Sequence, residues 1–322
     1  MTRQTLITLA SAALATVRSA RAEILSCADV ECPIPNPNVT SATCTVADKT
    51  FNAVGILNLD TGVDSLKGLS WVKAVAAEDT GERERIYDQT FYLGTPEDFD
   101  FDDTGACALF FTEVSDRVTF GDGDVRNTQG TCGQALSDSC VSALTDRAKK
   151  VDLKGLSRRA ACEKMQKDFS DNLDSACSAV AQGDRWTGIK AKALSGNASS
   201  ERISGRQNST SNCWPVLPKN NDLTLIESVN KTGDHNASTL IKNFFSITPI
   251  LTVFFPGEGD ESLVSEPVAH LTCLKIIDLT TASNETKSPH GGDEEGAGSH
   301  LAGNGALAIC AVLVSTLFGL LG

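Results

Sequence analysis

Three runs decide the fold: LSWVKAVA at 69–76, RIYDQTFYL at 85–93 and CALFFTEV at 107–114. Each is short and rich in β-branched and aromatic residues, and turn formers separate them. Apolar positions alternate around Trp71 in the first and through Ile86, Phe91 and Tyr92 in the second; the third holds a core-like ALFF. An earlier run, Phe51 to Leu59, carries Val54 and Ile56 and stops at Asp60-Thr61-Gly62. Short strands at this spacing are the signature of an antiparallel β unit.

Beyond residue 133 the period changes. Leu136, Cys140, Leu144, Ala148 and Val151 recur at spacings of three and four, which is one helix face. A second stripe runs through Cys162, Met165, Phe169, Leu173, Cys177 and Val180, and Gly155 and Ser157 separate the two. Residues 195–212 are rich in Ser, Asn and Gly and read as a loop. Strand character returns at Leu223–Val229. Ile241–Phe255 reads as one or two buried strands split by Pro249, too short to span a bilayer, and Leu271–Leu279 closes the fold. The expected class is α+β: a mainly antiparallel β-sandwich-like body with an inserted, disulfide-linked helical hairpin at about 133–194.

Both ends read as processing signals. Arg3, the uncharged stretch Leu6–Val17 and Ala20-Arg21-Ala22 make residues 1–22 a secretory signal peptide, so the mature chain begins at Glu23. Gly305–Gly322 is an uncharged apolar tail with no basic residue after it. Ser299–Asn304 is a polar spacer, and Gly296-Ala297-Gly298 supplies small residues before it. That order is a glycosylphosphatidylinositol (GPI) attachment signal, with Gly296 as the attachment site, Gly298 as the second choice, and 306–322 removed. The disulfide-rich domain then covers 23–279, and residues 280–305, polar, Gly-rich and acidic, form a flexible stalk.

The whole chain of 322 residues carries 28 basic and 41 acidic residues, a net charge of −13. Removing the leader takes Arg3, Arg18 and Arg21 and no acid, so the mature balance is 25 − 41 = −16. Such a surface does not neutralise phosphates, which argues against nucleic-acid binding. Cys310 leaves with the tail, and the remaining ten cysteines make an even set: Cys27, Cys32, Cys44, Cys107, Cys132, Cys140, Cys162, Cys177, Cys213 and Cys273. Five bridges in an oxidising compartment are expected, with Cys27, Cys32 and Cys44 pinning the Pro-rich N-terminal segment onto the body. Sequons stand at Asn38, Asn197, Asn208, Asn230, Asn236 and Asn284. Four of the six fall within 197–236, which points to an exposed, glycosylated region there.

Catalytic signals are sparse. In an extended run, Asp98, Asp100 and Asp102 share one face and Phe99 and Phe101 the other. Three such carboxylates are a weak calcium candidate beside the plainer reading, a solvated edge with two Phe packed inward. Gly121-Asp122-Gly123-Asp124 is a second oxygen-rich turn. With 41 acids, a glycosidase pair among residues such as Glu78, Asp79, Glu82 and Glu84 has no distinctive signature. Of four histidines, His290 and His300 fall in the stalk or removed segment, His235 abuts a sequon, and His270 alone sits on framework; no G-x-S-x-G is present. The Cys27-x4-Cys32 pair reads as a structural staple, not a zinc site, and no cofactor is implied. Lys149-Lys150 and Arg158-Arg159 are dibasic pairs of the kind secretory convertases cut, although a solvated helix face also accounts for them. Trp186 and Trp214 are the aromatics a sugar platform would expose.

Signal peptide, ten cysteines, clustered sequons, acidic stalk and apolar tail together resemble the GPI-anchored cell-surface and cell-wall glycoproteins of filamentous fungi. The resemblance implies attachment through a lipid to the outer leaflet of the plasma membrane, or to wall polysaccharide, and carries no active site with it. The eight-cysteine haem-binding module of fungal surface proteins does not match, because Cys44–Cys107 and Cys213–Cys273 are gaps of 63 and 60 residues. Copper polysaccharide monooxygenases need an N-terminal His where this chain has Glu23. The expected function is a non-enzymatic surface glycoprotein. A carbohydrate-binding or adhesive module is the first alternative, and a wall-remodelling glycoside hydrolase the second.

Overall fold

The computed structural model describes residues 23–32, 44–81, 83–196, 202–203 and 211–277. The leader, the sequons at Asn38, Asn197, Asn208 and Asn284, the stalk, Gly296 and the apolar tail lie outside the described residues. The strands are β1 (Cys44–Val46), β2 (Lys49–Phe51), β3 (Ala53–Asn58), β4 (Ser70–Asp79), β5 (Arg85–Thr95), β6 (Gly105–Glu113), β7 (Thr187–Ala193), β8 (Arg202–Ile203), β9 (Asp222–Gly233), β10 (Thr248–Phe255) and β11 (Val268–Leu274). The helices are α1 (Cys132–Leu136), α2 (Asp138–Lys150), α3 (Arg158–Asp171) and α4 (Ala237–Phe244).

The strands form two antiparallel sheets and a small β1–β2 hairpin. The first sheet runs β3-β4-β5-β9-β8 and the second β11-β10-β6-β7. They pack face to face through large side chains. The Trp71 and Phe110 rings meet edge-on at 5.4 Å, Phe91 lies 5.0 Å from Phe110, and Trp71 Nε1 donates to Thr252 Oγ1 at 2.9 Å. This is the expected α+β, sandwich-like body.

Each sheet is covered on its outer face as well. From β4, Trp71 faces the second sheet, whereas Val72, Ala74 and Ala76 join a separate core with Cys27, Val30, Cys44, Phe51 and Trp214. From β6, Phe110 points to the first sheet, whereas Phe111 packs on Trp186 at 4.8 Å and on Phe169 of α3 at 6.3 Å. Double-sided burial is why both strands are apolar along nearly their whole length.

Helices α1 to α3 are an excursion between two neighbouring strands, since β6 and β7 pair directly from Cys107↔Ala193 to Glu113↔Thr187. Thr131 and Gln134 cap α1 reciprocally, and Ser137 and Ser157 cap α2 and α3. Cys140, Leu144 and Ala148 of α2 and Cys162, Met165 and Phe169 of α3 are buried, as the periodicity requires. The second helix is shorter than expected. It ends at Asp171, Cys177 sits in a separate turn, and Thr187–Ala193 is strand rather than part of a hairpin reaching 194.

Two further readings change. Residues 237–244 are helix, because Asn236 caps them: its side chain accepts from Thr239 N at 2.7 Å. Pro249 does not split β10. It lies opposite Cys273, one residue before the pairing with β6 begins at Ile250↔Phe110, near the start of the strand where Pro is tolerated.

Among the described residues, bridges link Cys32–Cys213, Cys107–Cys162, Cys132–Cys273 and Cys140–Cys177. The first ties the N-terminal cover to the segment before β9. The other three tie α3 to β6, α1 to β11, and α2 to the turn after α3. Cys32 therefore reaches 181 residues along the chain to Cys213 instead of pairing with Cys27. Cys27 and Cys44 are buried in the same outer core as that bridge.

Candidate functional site

A charged concavity lies on the helical layer, where the last turns of α2 face α3. The groove of about 490 Å³ is lined by Arg147, Lys150, Asp152, Lys164, Asp168 and Asp171, with Val151, Lys167 and Asn172 completing it. Arg147 organises it. Its Nε donates to Asp168 Oδ2 at 2.7 Å, and Nη1 donates to Asn172 O at 2.7 Å and to Asp174 Oδ2 at 3.2 Å. Nη2 donates to Asp168 O at 2.8 Å, and the guanidinium lies 4.8 Å over the Phe169 ring. Burial works against the charge on Arg147, but the Asp168 and Asp174 carboxylates outweigh it and raise its pKa. Lys167 pairs with Asp171, and Lys164 donates to Asp152 O at 2.5 Å. The carboxylates of Asp168 and Asp171 are thus committed to cations in one helix-locking network.

The sequence candidates are dispersed. Asp98, Asp100 and Asp102 are exposed and Phe101 is buried, so carboxylates face water and the Phe faces inward, although the segment is turn rather than strand. The three carboxylates do not converge. Among the described residues, the grouping of three Cys, His, Asp or Glu ligand atoms within 4.8 Å of one another is Cys32, Cys44 and Cys213, and two of these are joined as a disulfide. A disulfide sulfur is not a thiolate ligand, so the cluster reads as a staple. Asp124 is taken up by its own turn, accepting from Arg126 N at 3.0 Å.

His235 Nε2 lies 3.1 Å from Glu84 O and 3.7 Å from Asp79. His270 sits in β11 opposite Thr252, and burial lowers its pKa. Trp186 is 2% exposed and Trp214 5%, and Trp214 Nε1 donates to Asn221 O at 2.9 Å, so neither offers a flat stacking face. Asn230 and Asn236 are exposed.

One feature escaped the sequence reading: buried lysines, Lys73 facing the second sheet and Lys275 just past the end of β11. Lys73 is wholly buried, and its Nζ donates to Ser246 O at 2.7 Å and Thr248 Oγ1 at 3.0 Å. Burial, reinforced by the charges of Lys231 and Lys275, pushes its pKa well below the ordinary amine range. Lys275 donates to Val125 O, and burial brings it down to about 8 against a weaker pull from Asp124. The signal was available: Lys73 occupies an inward position between Trp71 and Val75 in an otherwise apolar strand.

Comparison with protein-family models, curated sequences and solved structures returned no match.

Proposed function

We propose that the chain is a non-enzymatic, N-glycosylated surface protein, structural or ligand-binding, held on the outer leaflet of the plasma membrane by a GPI lipid at Gly296. The observation that carries the reading is the disulfide framework: among the described residues, two bridges fasten the helical layer to its sheet, one closes that layer on itself, and one ties the N-terminal cover to the segment before β9. Bridges of this kind persist in oxidising, extracytoplasmic compartments. Asn230 and Asn236 are exposed, as glycan acceptors must be. The small-residue triplet Gly296-Ala297-Gly298 before an uncharged tail supports the lipid link. A phosphatidylinositol-specific phospholipase should release the protein from intact cells, and deleting residues 306–322 should send it into the medium. Finding Leu313–Gly322 in the mature protein contradicts the lipid assignment and makes the tail a membrane span.

A further inference from the structure

Two paired-basic dipeptides bracket one loop. Lys149-Lys150 closes α2, Arg158-Arg159 opens α3, and residues 151–157 lie between them. Lys149, Lys150 and Arg159 are exposed, as are Asp152, Lys154, Gly155, Leu156 and Ser157. Leu156, at 37%, is one of two large apolar side chains exposed among the described residues. Exposed loop tips of this kind are preferred sites of proteolytic nicking.

The second observation is covalent. All four disulfides cross this loop. Cys32, Cys107, Cys132 and Cys140 precede it, and their partners Cys213, Cys162, Cys273 and Cys177 follow it. Strand pairing crosses it too, because β6 lies between β7 and β10, and β5 pairs with β9. Residues 151–159 hold no cysteine. A chain cut here loses no part of its framework.

We propose that this loop is a proteolytic processing site, cut after Lys150 and after Arg159 by a secretory endoprotease that reads paired basic residues, leaving two chains joined by the four described disulfides. Each cut adds one water across a peptide bond. Lys150 gains a carboxylate and Val151 an ammonium, and the second cut does the same at Arg159 and Ala160. The nine-residue peptide 151–159 then departs. The Lys150–Val151 bond is cut first. Val151 is already extended (φ −65°, ψ 122°), and its bond to Ala148 O is long at 3.4 Å. Arg159 sits in the first turn of α3, whose Ala160 and Ala161 N–H groups are held by Ser157, so that turn frays once the opened loop draws Ser157 away. Departure of the peptide removes Val151 and Asp152 from the groove and frees Lys164 from Asp152 O.

The cellular part rests on the secreted reading above, but the site is tested independently of it. Purified, folded full-chain protein is treated with a dibasic-specific serine endoprotease and resolved with and without reductant. One species without reductant and two with it are expected, with new N-termini at Val151 and Ala160. Lys149→Gln with Lys150→Gln removes the Val151 terminus; these exposed residues are not needed for folding. A chain that stays single under reduction, or is cut elsewhere, overturns the site. Protein recovered from the cell surface should carry the Ala160 terminus and a disulfide-linked chain ending at Lys150, the Val151 terminus having left with the peptide. Surface protein that is intact although purified protein is cut overturns processing and leaves the surface assignment standing. If the chain never reaches the surface, that assignment fails and the digest of purified protein decides the site.

Discussion

The outer faces of the two sheets are covered in contrasting ways. The first sheet is covered by irregular chain and a short hairpin, sewn down by backbone bonds. Leu25 exchanges bonds with Ile56 of β3 at 2.8 and 2.9 Å, and within the cover Cys213 N donates to Thr45 O at 3.2 Å and Ala47 N to Ser211 Oγ at 2.7 Å. The second sheet is covered by helices. These satisfy their own backbone groups, so they attach through apolar side chains and two bridges to the sheet, with a third bridge inside the layer, against one described bridge on the other cover. Irregular chain must place its N–H and C=O groups on neighbours, and that requirement itself anchors it. A helix has no such need, so its anchoring falls to side-chain packing and covalent links.

The shared centre should be costlier to damage than either cover. Trp71→Ala removes the ring that meets Phe110 and the donor to Thr252, and should cost about 3–5 kcal/mol in denaturant unfolding. A loss below about 1 kcal/mol would show that the sheets do not pack through Trp71.

Removing bridges separates the covers. Cys107→Ala with Cys162→Ala, and Cys32→Ala with Cys213→Ala, should each cost about 2–4 kcal/mol. Hydrogen exchange distinguishes them. Loss of the first bridge should speed exchange across Arg158–Asp171, whereas loss of the second should speed it around Leu25 and Cys44–Phe51. Equal acceleration everywhere would mean that the two covers are not independent.

A pH series probes the interior that both covers seal. An ordinary lysine titrates near 10.4, while burial holds Lys275 at about 8 and Lys73 well below the ordinary range. Between about pH 8 and 10.4 the unfolded chain binds more protons than the folded one, so stability rises with pH across that window and falls as pH drops through it. From pH 7.5 to 9.5, Lys275 contributes a gain of about 2 kcal/mol. Burial raises the pKa of the Tyr92 phenol, so it ionises first in the unfolded chain and opposes the gain as pH nears 10, an effect that stays small up to about pH 9.5. Lys275→Met should flatten the slope; an unchanged slope contradicts the assignment.

The smallest effect belongs to the Asn236 cap. Asn236→Ala should cost about 1 kcal/mol in unglycosylated protein, whereas Ser238→Ala abolishes the same sequon and leaves the cap intact. Equal losses from both would mean that the cap contributes nothing.

How much was legible follows from the same contrast. Strands β4 to β6 and the faces of α2 and α3 were readable because Trp71, Phe91, Cys140 and Phe169 sit in strong local patterns. Strand β7 was missed because TGIKAKA carries Lys190 and Lys192 and follows directly on a helical stripe. Lysines on an edge strand also guard it against pairing with another chain. Helix α4 was hidden in the apolar run 241–255, because its start depends on a capping bond rather than on periodicity. The groove was illegible: Arg147 and Asp168 are 21 residues apart, and only the packing of α2 on α3 joins them.

Peptide mapping of unreduced protein taken from the cell surface tests the central claim, that covalent staples hold the covers on an oxidised surface protein. The account predicts four linked peptide pairs, Cys32–Cys213, Cys107–Cys162, Cys132–Cys273 and Cys140–Cys177. Recovery of those eight cysteines as thiols, or in other pairings, would contradict it.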